Sequence, residues 1–270
     1  MWGIAPAYFV LVEFAGTLEV LAHRITWSIP LLMLLIWIGK QWQALSVGTV
    51  LRLALCAVLL AINWLTFIYG VHQGKIAETS LGYFVTPFLT ILFGALLFRE
   101  SMSRVQRFAA AVAGLGVLLE VFSVGYIPWI ALSLALSFAC YGALRRQLQM
   151  PAALGLGVET ALLAPIALLY LVWMETPSRP ISELLLLGMG GLVTVVPLLC
   201  FGAATRRLPL TVLGYFQYLA PTLSLLLAVF VYDEVVSSGR WLSFGCVWLA
   251  LVVIVVDAAT GAKTAEEATN

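Results

Sequence analysis

Three ionisable residues interrupt long apolar runs of the sequence, and they are the first candidates for chemistry. They are His23, Arg24 and Glu159. Inserting a charged side chain at the centre of a bilayer helix costs about 2.5 to 3.5 kcal/mol on insertion scales, so such residues usually face a protein interior or a water-filled cavity. The Glu159 carboxyl and the His23 imidazole could each take up and release a proton there. The alternative is structural, either an internal hydrogen bond or a side chain that reaches the membrane interface.

A second group of candidates surrounds two prolines, Pro87 and Pro221, which lie near the middle of apolar runs. Each proline removes the helical hydrogen bond to the carbonyl four residues earlier, which frees the oxygens of Tyr83 and Gln217. Unpaired backbone groups at this depth are tolerated only where they face protein or a water-filled cavity. These two helices are therefore predicted to line a binding site, with a plain packing kink as an equal alternative. The predicted contacts on them are Tyr83, Phe84, Thr86, Pro87, Tyr215, Gln217, Tyr218 and Pro221.

Asn63 and Trp64 form a third candidate group, deep in another apolar run. A buried side-chain amide needs hydrogen-bond partners, so Asn63 either binds a polar group of a substrate or ties two helices together. The Trp64 ring could stack on a bound molecule. Both residues belong to the predicted substrate-binding set.

The elements that carry these residues are predicted to be membrane-spanning helices. Residues of the AVILMFWYC set make up 63% of the chain and charged residues 10%, against about 45 to 50% and about 25% in a typical globular chain. A span needs about 20 mostly apolar residues, and such runs recur between charged and turn residues. The full spans predicted are Leu21–Ile38, Val50–Val71, Thr79–Phe98, Val105–Phe122, Trp129–Leu144, Leu154–Trp173, Leu184–Ala204, Thr211–Tyr232 and Trp241–Asp257.

Ahead of these spans, the segment from Trp2 to Val12 is apolar but short. At about 1.5 Å per residue it reaches roughly 16 Å, about half of a bilayer core. It has neither the basic start nor the cleavage site of a signal peptide. We therefore expect the natural protein to carry on the order of 10 to 20 further residues that complete a tenth span.

The distribution of Lys and Arg between spans predicts the orientation, because cytoplasmic loops carry an excess of both. With both termini in the cytoplasm, the outer loops hold only Lys75, Arg179 and Arg240. The inner side then holds Lys40, Arg52, Arg99, Arg104, Arg107, Arg145, Arg146, Arg206, Arg207 and Lys263. Both termini are therefore predicted to be cytoplasmic. Residues 259–270 are small and polar, and they are predicted to form a disordered cytoplasmic tail.

Composition and motifs also disfavour several classes of function. The net charge of +1 supplies no basic surface for nucleic acid. The four cysteines stand singly in apolar runs without a histidine at ligand spacing, so they are predicted to be small hydrophobic residues and not metal ligands. The sequence contains no HExxH, GxSxG, P-loop or nucleotide-binding glycine string. Neither an enzyme nor a cofactor is therefore predicted.

The two halves of the sequence match each other in order. Thr79-Ser-Leu-Gly-Tyr-Phe84 recurs as Thr211-Val-Leu-Gly-Tyr-Phe216. The prolines follow in register, and so does the pair Arg99-Glu100 with its counterpart Asp233-Glu234. Residues 1–124 and 125–258 are therefore predicted to be two five-helix repeats. Because five is odd, the second repeat enters the membrane from the opposite side. Inverted repeats of this kind are typical of secondary transporters, whose substrate site lies near the midplane between the halves.

Several strings also resemble one known family of membrane proteins. They are Trp2-Gly-Ile-Ala-Pro-Ala-Tyr-Phe9, His23-Arg-Ile-Thr-Trp-Ser28, Asn63-Trp64, Leu81-Gly-Tyr-Phe84, Val195-Val-Pro-Leu-Leu-Cys-Phe201 and Leu213-Gly-Tyr-Phe-Gln-Tyr218. With ten spans in two repeats, the chain is similar to the EamA family of the drug/metabolite transporter superfamily, and within it to the RarD-type permeases. The resemblance runs from Trp2 to about Asp257 and implies an inner-membrane permease with a family name linked to chloramphenicol sensitivity. It implies no substrate.

The predicted function is that of a secondary transporter that exports a small organic metabolite or drug-like molecule across the bacterial inner membrane. Glu159 or His23 would carry the coupling proton, with Arg24 as a further coupling or gating residue. A passive channel or facilitator and a non-transporting membrane scaffold are the alternatives. The expected partners are a small-molecule substrate and the lipid bilayer, and a homodimer is left open. Few fixed charges in the predicted lining favour a neutral, amphipathic or zwitterionic substrate over a polyanion.

An inverted repeat makes one further prediction about accessibility. The segment around Tyr83 would approach the midplane from outside and the matching segment around Tyr215 from the cytoplasm. Cysteines placed at Thr86 and Gln217 are therefore predicted to be exposed to water in opposite conformations.

Overall fold

The computed structural model describes residue 3 and residues 5–174, 179–231 and 236–267. Within these ranges the regular secondary structure is entirely helical. The helices are α1 (Ala5–Leu11), α2 (Thr17–Ile38), α3 (Val47–His72), α4 (Ile76–Leu97), α5 (Arg104–Ser123), α6 (Trp129–Leu148), α7 (Ala152–Trp173), α8 (Ile181–Arg207), α9 (Leu210–Gln217), α10 (Leu219–Phe230) and α11 (Ser238–Glu267).

The described part of the chain contains 8 helical segments that are long and apolar enough to cross a membrane. They are Thr17–Ile38, Val47–His72, Ala77–Leu97, Arg104–Ser123, Ala152–Trp173, Ile181–Arg207, Leu210–Leu227 and Ser238–Thr260. Helix α6 is not among them, and its last turn carries Arg145 and Arg146. The prediction of an all-helical, multi-pass membrane bundle is confirmed.

The predicted span that begins at Thr211 is divided into α9 and α10, which meet at Tyr218. Pro221 has no N–H group and cannot donate to the Gln217 carbonyl, so the helical ladder is interrupted there. The Tyr218 N–H bonds instead to the carbonyl three residues earlier, at 3.2 Å. Helix α4, which contains the matching proline, continues without a break. The predicted last residue of the divided span, Tyr232, lies outside the described residues.

Helix packing joins elements that correspond in the two predicted repeats. Helix α2 packs on α7, α4 on α9 and α5 on α11, while α3 and α4 both pack on α6. Two glycines let α4 and α9 approach closely: a Cβ on Gly214 would lie 2.7 Å from the Pro87 carbonyl oxygen, and one on Gly94 would lie 2.7 Å from the Thr211 nitrogen. Small residues at helix crossings are how membrane helices gain packing contacts, since lipid supplies no hydrophobic driving force between them.

Carboxylates connect helices at both ends of the bundle. At the inner end, named for the side predicted to be cytoplasmic, Glu100 accepts hydrogen bonds from the Leu210 and Thr211 N–H groups at 2.8 and 2.9 Å and from the Thr211 hydroxyl at 2.9 Å. This carboxylate satisfies N–H groups in the first turn of α9, where a helix favours negative charge. At the outer end, Glu78 accepts a hydrogen bond of 2.9 Å from the Ile130 N–H at the start of α6.

Arg179 ties the segment before α8 to α2 at the outer end. Its guanidinium donates to both carboxylate oxygens of Glu19, at 2.6 and 2.8 Å, and to Glu183 at 2.9 Å. The hydrogen bonds to Glu19 contribute most to raising the pKa of Arg179 above its ordinary value. This network fixes the position of α8 relative to α2 at the outer end.

The C-terminal helix is longer than the sequence predicted. Helix α11 continues to Glu267, so the backbone of residues 259–267 is helical where a disordered tail was predicted. A nucleated helix gains one hydrogen bond for each residue added, which lets it continue past its apolar part. Residues 268–270 of the predicted tail, Trp2 and the predicted acidic pair Asp233-Glu234 lie outside the described residues.

Candidate functional site

A cavity lies between α1, α2, α3, α4, α6, α8, α9 and α10. The empty space between these helices, counted together with the part that is open to the surroundings, is about 760 Å³. Aromatic and aliphatic side chains make up most of the wall. The lining consists of Phe9, Arg24, Asn63, Trp64, Phe67, Tyr83, Thr86, Pro87, Leu134, Phe138, Val193, Thr194, Leu198, Gln217 and Ala220.

This lining contains residues from all three groups that the sequence singled out. One space is lined by members of each group: an ionisable residue, the buried amide and its neighbouring tryptophan, and residues near the two prolines. These lining residues are Arg24, Asn63, Trp64, Tyr83, Thr86, Pro87 and Gln217. The fold therefore assembles, around one cavity, residues that are far apart in the sequence.

Thr86 and Gln217 line the same cavity, which changes the accessibility expected for them. Helix α9 packs directly along α4, with Gly214 against the Pro87 carbonyl, so both helices reach a common space. We therefore expect cysteines at these two positions to be reached from the same side in any one conformation, and not in opposite conformations as the repeat alone suggested.

Phe84, Tyr215 and Tyr218, three predicted contact residues, lie outside the cavity lining in an interior cluster. The Phe84 ring centroid is 4.8 Å from that of Phe244 and 6.0 Å from that of Tyr218. The Tyr215 hydroxyl donates to the Gln106 carbonyl at 2.7 Å. Successive residues of a helix point in different directions, so a string such as Leu-Gly-Tyr-Phe places only part of its side chains on the cavity side.

Two further predicted residues, Pro221 and His23, also lie outside the lining. Pro221 is buried just beyond the break between α9 and α10. His23 is partly buried on α2, one turn from Glu19, and its Nδ1 atom has no hydrogen-bond partner among the described residues. The structure therefore separates His23 from the cavity that its neighbour Arg24 lines.

Glu159 forms a buried ion pair away from the cavity. The Arg145 Nη1 atom lies 3.2 Å from Glu159 Oε1, and the Tyr141 hydroxyl donates to Oε2 at 3.2 Å. The side chains of Arg145 and Glu159 are 2% and 1% exposed. Gly155 makes room for this arginine, because a Cβ there would overlap the guanidinium. The sequence predicted neither partner of Glu159, and Arg145 was counted with the cytoplasmic loop residues.

Arg24 reaches the cavity from α2 and is 6% exposed. Its Nε atom donates to the Thr194 hydroxyl at 2.9 Å, and that hydroxyl donates in turn to the Gly190 carbonyl at 2.7 Å. The guanidinium carbon lies 5.0 Å from the ring centroid of Phe9 and 5.0 Å from that of Trp64. Two aromatic rings therefore flank a cation in the cavity wall, a favourable arrangement for a guanidinium.

Asn63 joins α3 to α6 while it lines the cavity. Its side-chain nitrogen donates to the Leu134 carbonyl at 2.9 Å and to the Ser137 hydroxyl at 3.1 Å. The sequence left two roles open for Asn63, and these hydrogen bonds show that it ties two helices together. The amide also has an oxygen that can accept a hydrogen bond.

Sequence reasoning missed most of the apolar wall and one polar residue. The missed residues are Phe9, Phe67, Leu134, Phe138, Val193, Thr194, Leu198 and Ala220. Thr194 could have been found, because it is a polar residue in a long apolar run three positions before Pro197. The others are apolar residues in apolar helices, and nothing local distinguishes a cavity-facing position from a lipid-facing one.

A multi-pass helical bundle whose two halves both contribute to an internal cavity is the architecture of a membrane transporter. The EamA-like transporter family matches residues 1–122 and 126–256 of the chain. The chain belongs to this family, as a RarD-type permease of the drug/metabolite transporter superfamily.

Curated relatives match the chain over nearly its whole length. Protein RarD of Escherichia coli is 41% identical over 269 residues, covering 96% of this chain and 91% of the relative. An uncharacterized transporter of Vibrio cholerae is 40% identical over 280 residues, covering 99% and 92%. The chloramphenicol-sensitive protein RarD of Pseudomonas aeruginosa is 32% identical over 267 residues, covering 94% and 89%.

A solved crystal structure of another protein shares the fold of this chain. The two chains superpose with a TM-score of 0.71 and are 18% identical, with 93% of each chain covered. At this identity the likeness concerns the fold alone.

Proposed function

We propose that this transporter moves a small organic metabolite or drug-like molecule outward across the bacterial inner membrane, and that the molecule binds in the cavity between the helices. The observation that carries the proposal is the cavity, which gathers Arg24, Asn63, Trp64 and Gln217 in a largely apolar wall. A site with few polar groups in an apolar wall is suited to holding and orienting a small organic molecule.

Alternating access by two inverted repeats is the proposed mechanism. Two observations support it: the family matches the chain twice, at residues 1–122 and 126–256, and α2, α4 and α5 pack on their counterparts α7, α9 and α11. Rocking of one repeat against the other around a fixed site would open the cavity first to one side and then to the other. The excess of Lys and Arg on one side supports cytoplasmic termini.

Coupling to protons is the proposed source of energy, with Glu159 as the first candidate carrier. A proton on its carboxyl would remove the charge that holds Arg145 and would leave that guanidinium without its counter-ion. Such a step can loosen the contact between α6 and α7 in a proton-dependent way. His23, on α2 near the Arg179 network, is the second candidate.

Comparing growth media tests the transport itself. We expect at least one small organic molecule to accumulate in the medium of an overexpressing strain and to fall in that of a deletion strain, measured by untargeted mass spectrometry. That molecule should then accumulate in inside-out vesicles against its gradient when the interior is acidic, and nigericin should abolish the accumulation.

Glu159→Gln separates the parts of this proposal. This variant keeps a hydrogen-bonding side chain, and we expect it to retain downhill movement of the molecule while losing accumulation that depends on the pH gradient. Equilibration without accumulation in the unaltered protein would favour a passive facilitator. Identical media from the two strains would contradict transport of a metabolite.

A further inference from the structure

One cation among the described residues that line the cavity has no anion there to balance it. It is Arg24, the single charged residue of that described lining. In the described part of the chain, no carboxylate lies within ion-pair distance of its guanidinium, whereas four other carboxylate–arginine contacts occur there. An arginine buried in a membrane protein normally pairs with an acidic residue or with backbone carbonyls. Arg24 has one hydrogen-bond acceptor, the Thr194 hydroxyl.

The surroundings of Arg24 hold its guanidinium in place without neutralising it. Phe9 and Trp64 each place a ring 5.0 Å from the guanidinium carbon, and such cation–π contacts offset part of the cost of burial. An aromatic ring bears no net charge, so the positive charge persists. Of the five N–H donors of the guanidinium, the Nε donor alone has a partner among the described residues.

A second polar group of the cavity, the Gln217 side chain, has no hydrogen-bond partner among the described residues. Both side-chain atoms of Gln217, Oε1 and Nε2, are buried and without a hydrogen bond in the part of the chain that the structure describes. Gln217 ends α9 at the break before α10 and lines the same cavity as Arg24. A buried amide without a hydrogen bond costs folding free energy, so the Gln217 side chain is available to hydrogen-bond a bound molecule.

We propose that the molecule carried in this cavity is an organic monoanion, a carboxylate attached to an aromatic or otherwise apolar body, and that its carboxylate binds the Arg24 guanidinium. A carboxylate matches the two-pronged donor geometry of arginine. The apolar body fits the wall formed by the rings of Phe9, Trp64 and Phe67, and Gln217 binds a further polar group. A single cation balances one negative charge, so this cavity favours a monoanion over a polyanion. This inference rests on the proposed function and names its substrate class.

Matched acids and amides test the charge separately from the shape of the ligand. The probes are indole-3-acetate with indole-3-acetamide and phenylacetate with phenylacetamide, titrated at pH 7 into the purified full-length protein in detergent by calorimetry. We expect at least one acid to bind about tenfold more tightly than its own amide, because only the acid pairs with Arg24. Arg24→Gln should abolish this preference while leaving the amide affinity within about twofold, and Arg24→Lys should retain part of it.

Arg146→Gln is the matched control. Arg146 is an arginine near the inner end of α6 that donates to the Thr205 carbonyl and lies outside the cavity lining, so its loss should leave the preference for the acid unchanged. If Arg24→Gln fails to fold, the acid and amide titrations of the unaltered protein and of Arg24→Lys decide the question.

Two results would overturn the inference: equal affinity for each acid and its amide in the unaltered protein, including no binding of either, or a preference that survives in Arg24→Gln. The proposed function is tested separately. Export of a neutral molecule without any preference for acids would overturn this inference and leave the transporter proposal intact. Binding of an acid to Arg24 without transport into vesicles would contradict the proposed function and leave the assigned carboxylate site intact.

Discussion

Replacing Glu159 by alanine is expected to lower the free energy of unfolding by about 3 to 5 kcal/mol. The substitution leaves the Arg145 guanidinium, whose side chain is 2% exposed, without its counter-ion in the interior. Removing one member of a buried pair costs more than the pair itself contributes, because the remaining charge stays desolvated. Unfolding of the purified protein in mixed detergent micelles with increasing dodecyl sulfate measures the effect.

Glu183→Ala is the matched control for this measurement. Glu183 also pairs with an arginine, but its side chain is 31% exposed and Arg179 keeps its contact with Glu19. Exposed ion pairs contribute about 0 to 1 kcal/mol, so the control should change stability little. The double replacement Arg145→Met with Glu159→Leu should recover much of the loss, since no buried charge remains. Equal effects of Glu159→Ala and Glu183→Ala would contradict the buried-pair assignment.

Replacing Glu100 by alanine is expected to loosen the inner end of the bundle. The Glu100 carboxylate accepts three hydrogen bonds from Leu210 and Thr211 and so joins the end of α4 to the start of α9. Hydrogen bonds to a charged group contribute about 1.5 to 3 kcal/mol each. Losing them should raise the population of conformations open at the inner end by about tenfold or more. The measurement is the distance distribution between spin labels on cysteines at the exposed positions Arg99 and Arg207.

The control for the Glu100 variant is Glu78→Ala. Glu78 bonds the start of α6 at the outer end, so its loss should leave the distance between the two inner labels unchanged. In Glu100→Ala a second, longer distance should appear or grow. An unchanged distribution in Glu100→Ala would show that this carboxylate does not hold the inner end closed.

The sequence predicted the broad fold and part of the cavity because these depend on residue type. Long apolar runs predict membrane spans from residue type alone. Arg24 and Asn63 were predicted as site residues because charged and amide side chains are unusual inside a span. Pro221 indicated an interruption near the break between α9 and α10, because a proline has no N–H group to bond to the Gln217 carbonyl. These features need no knowledge of the neighbouring helices.

The parts that the sequence did not predict depend on helix rotation and on partners from distant segments. Tyr83 and Phe84 are adjacent aromatic residues, yet only Tyr83 lines the cavity, because each helical residue points about 100° away from its neighbour. Arg145 lies beside Arg146 at a helix end, where both are typical of a cytoplasmic loop. Only the packing of α7 shows that Arg145 turns inward to Glu159.

Labelling of a single cysteine at Gln217 tests most directly whether the cavity is a transport pathway that opens to one side at a time. The cysteine is placed in a chain from which Cys56, Cys140, Cys200 and Cys246 have been removed, and a membrane-impermeant maleimide is added to right-side-out or to inside-out vesicles. We predict that it reacts from either side, and that Glu100→Ala raises the rate from the inner side while lowering the rate from the outer side. A cysteine that is unreactive from both sides, or rates that rise together on both sides, would contradict the account.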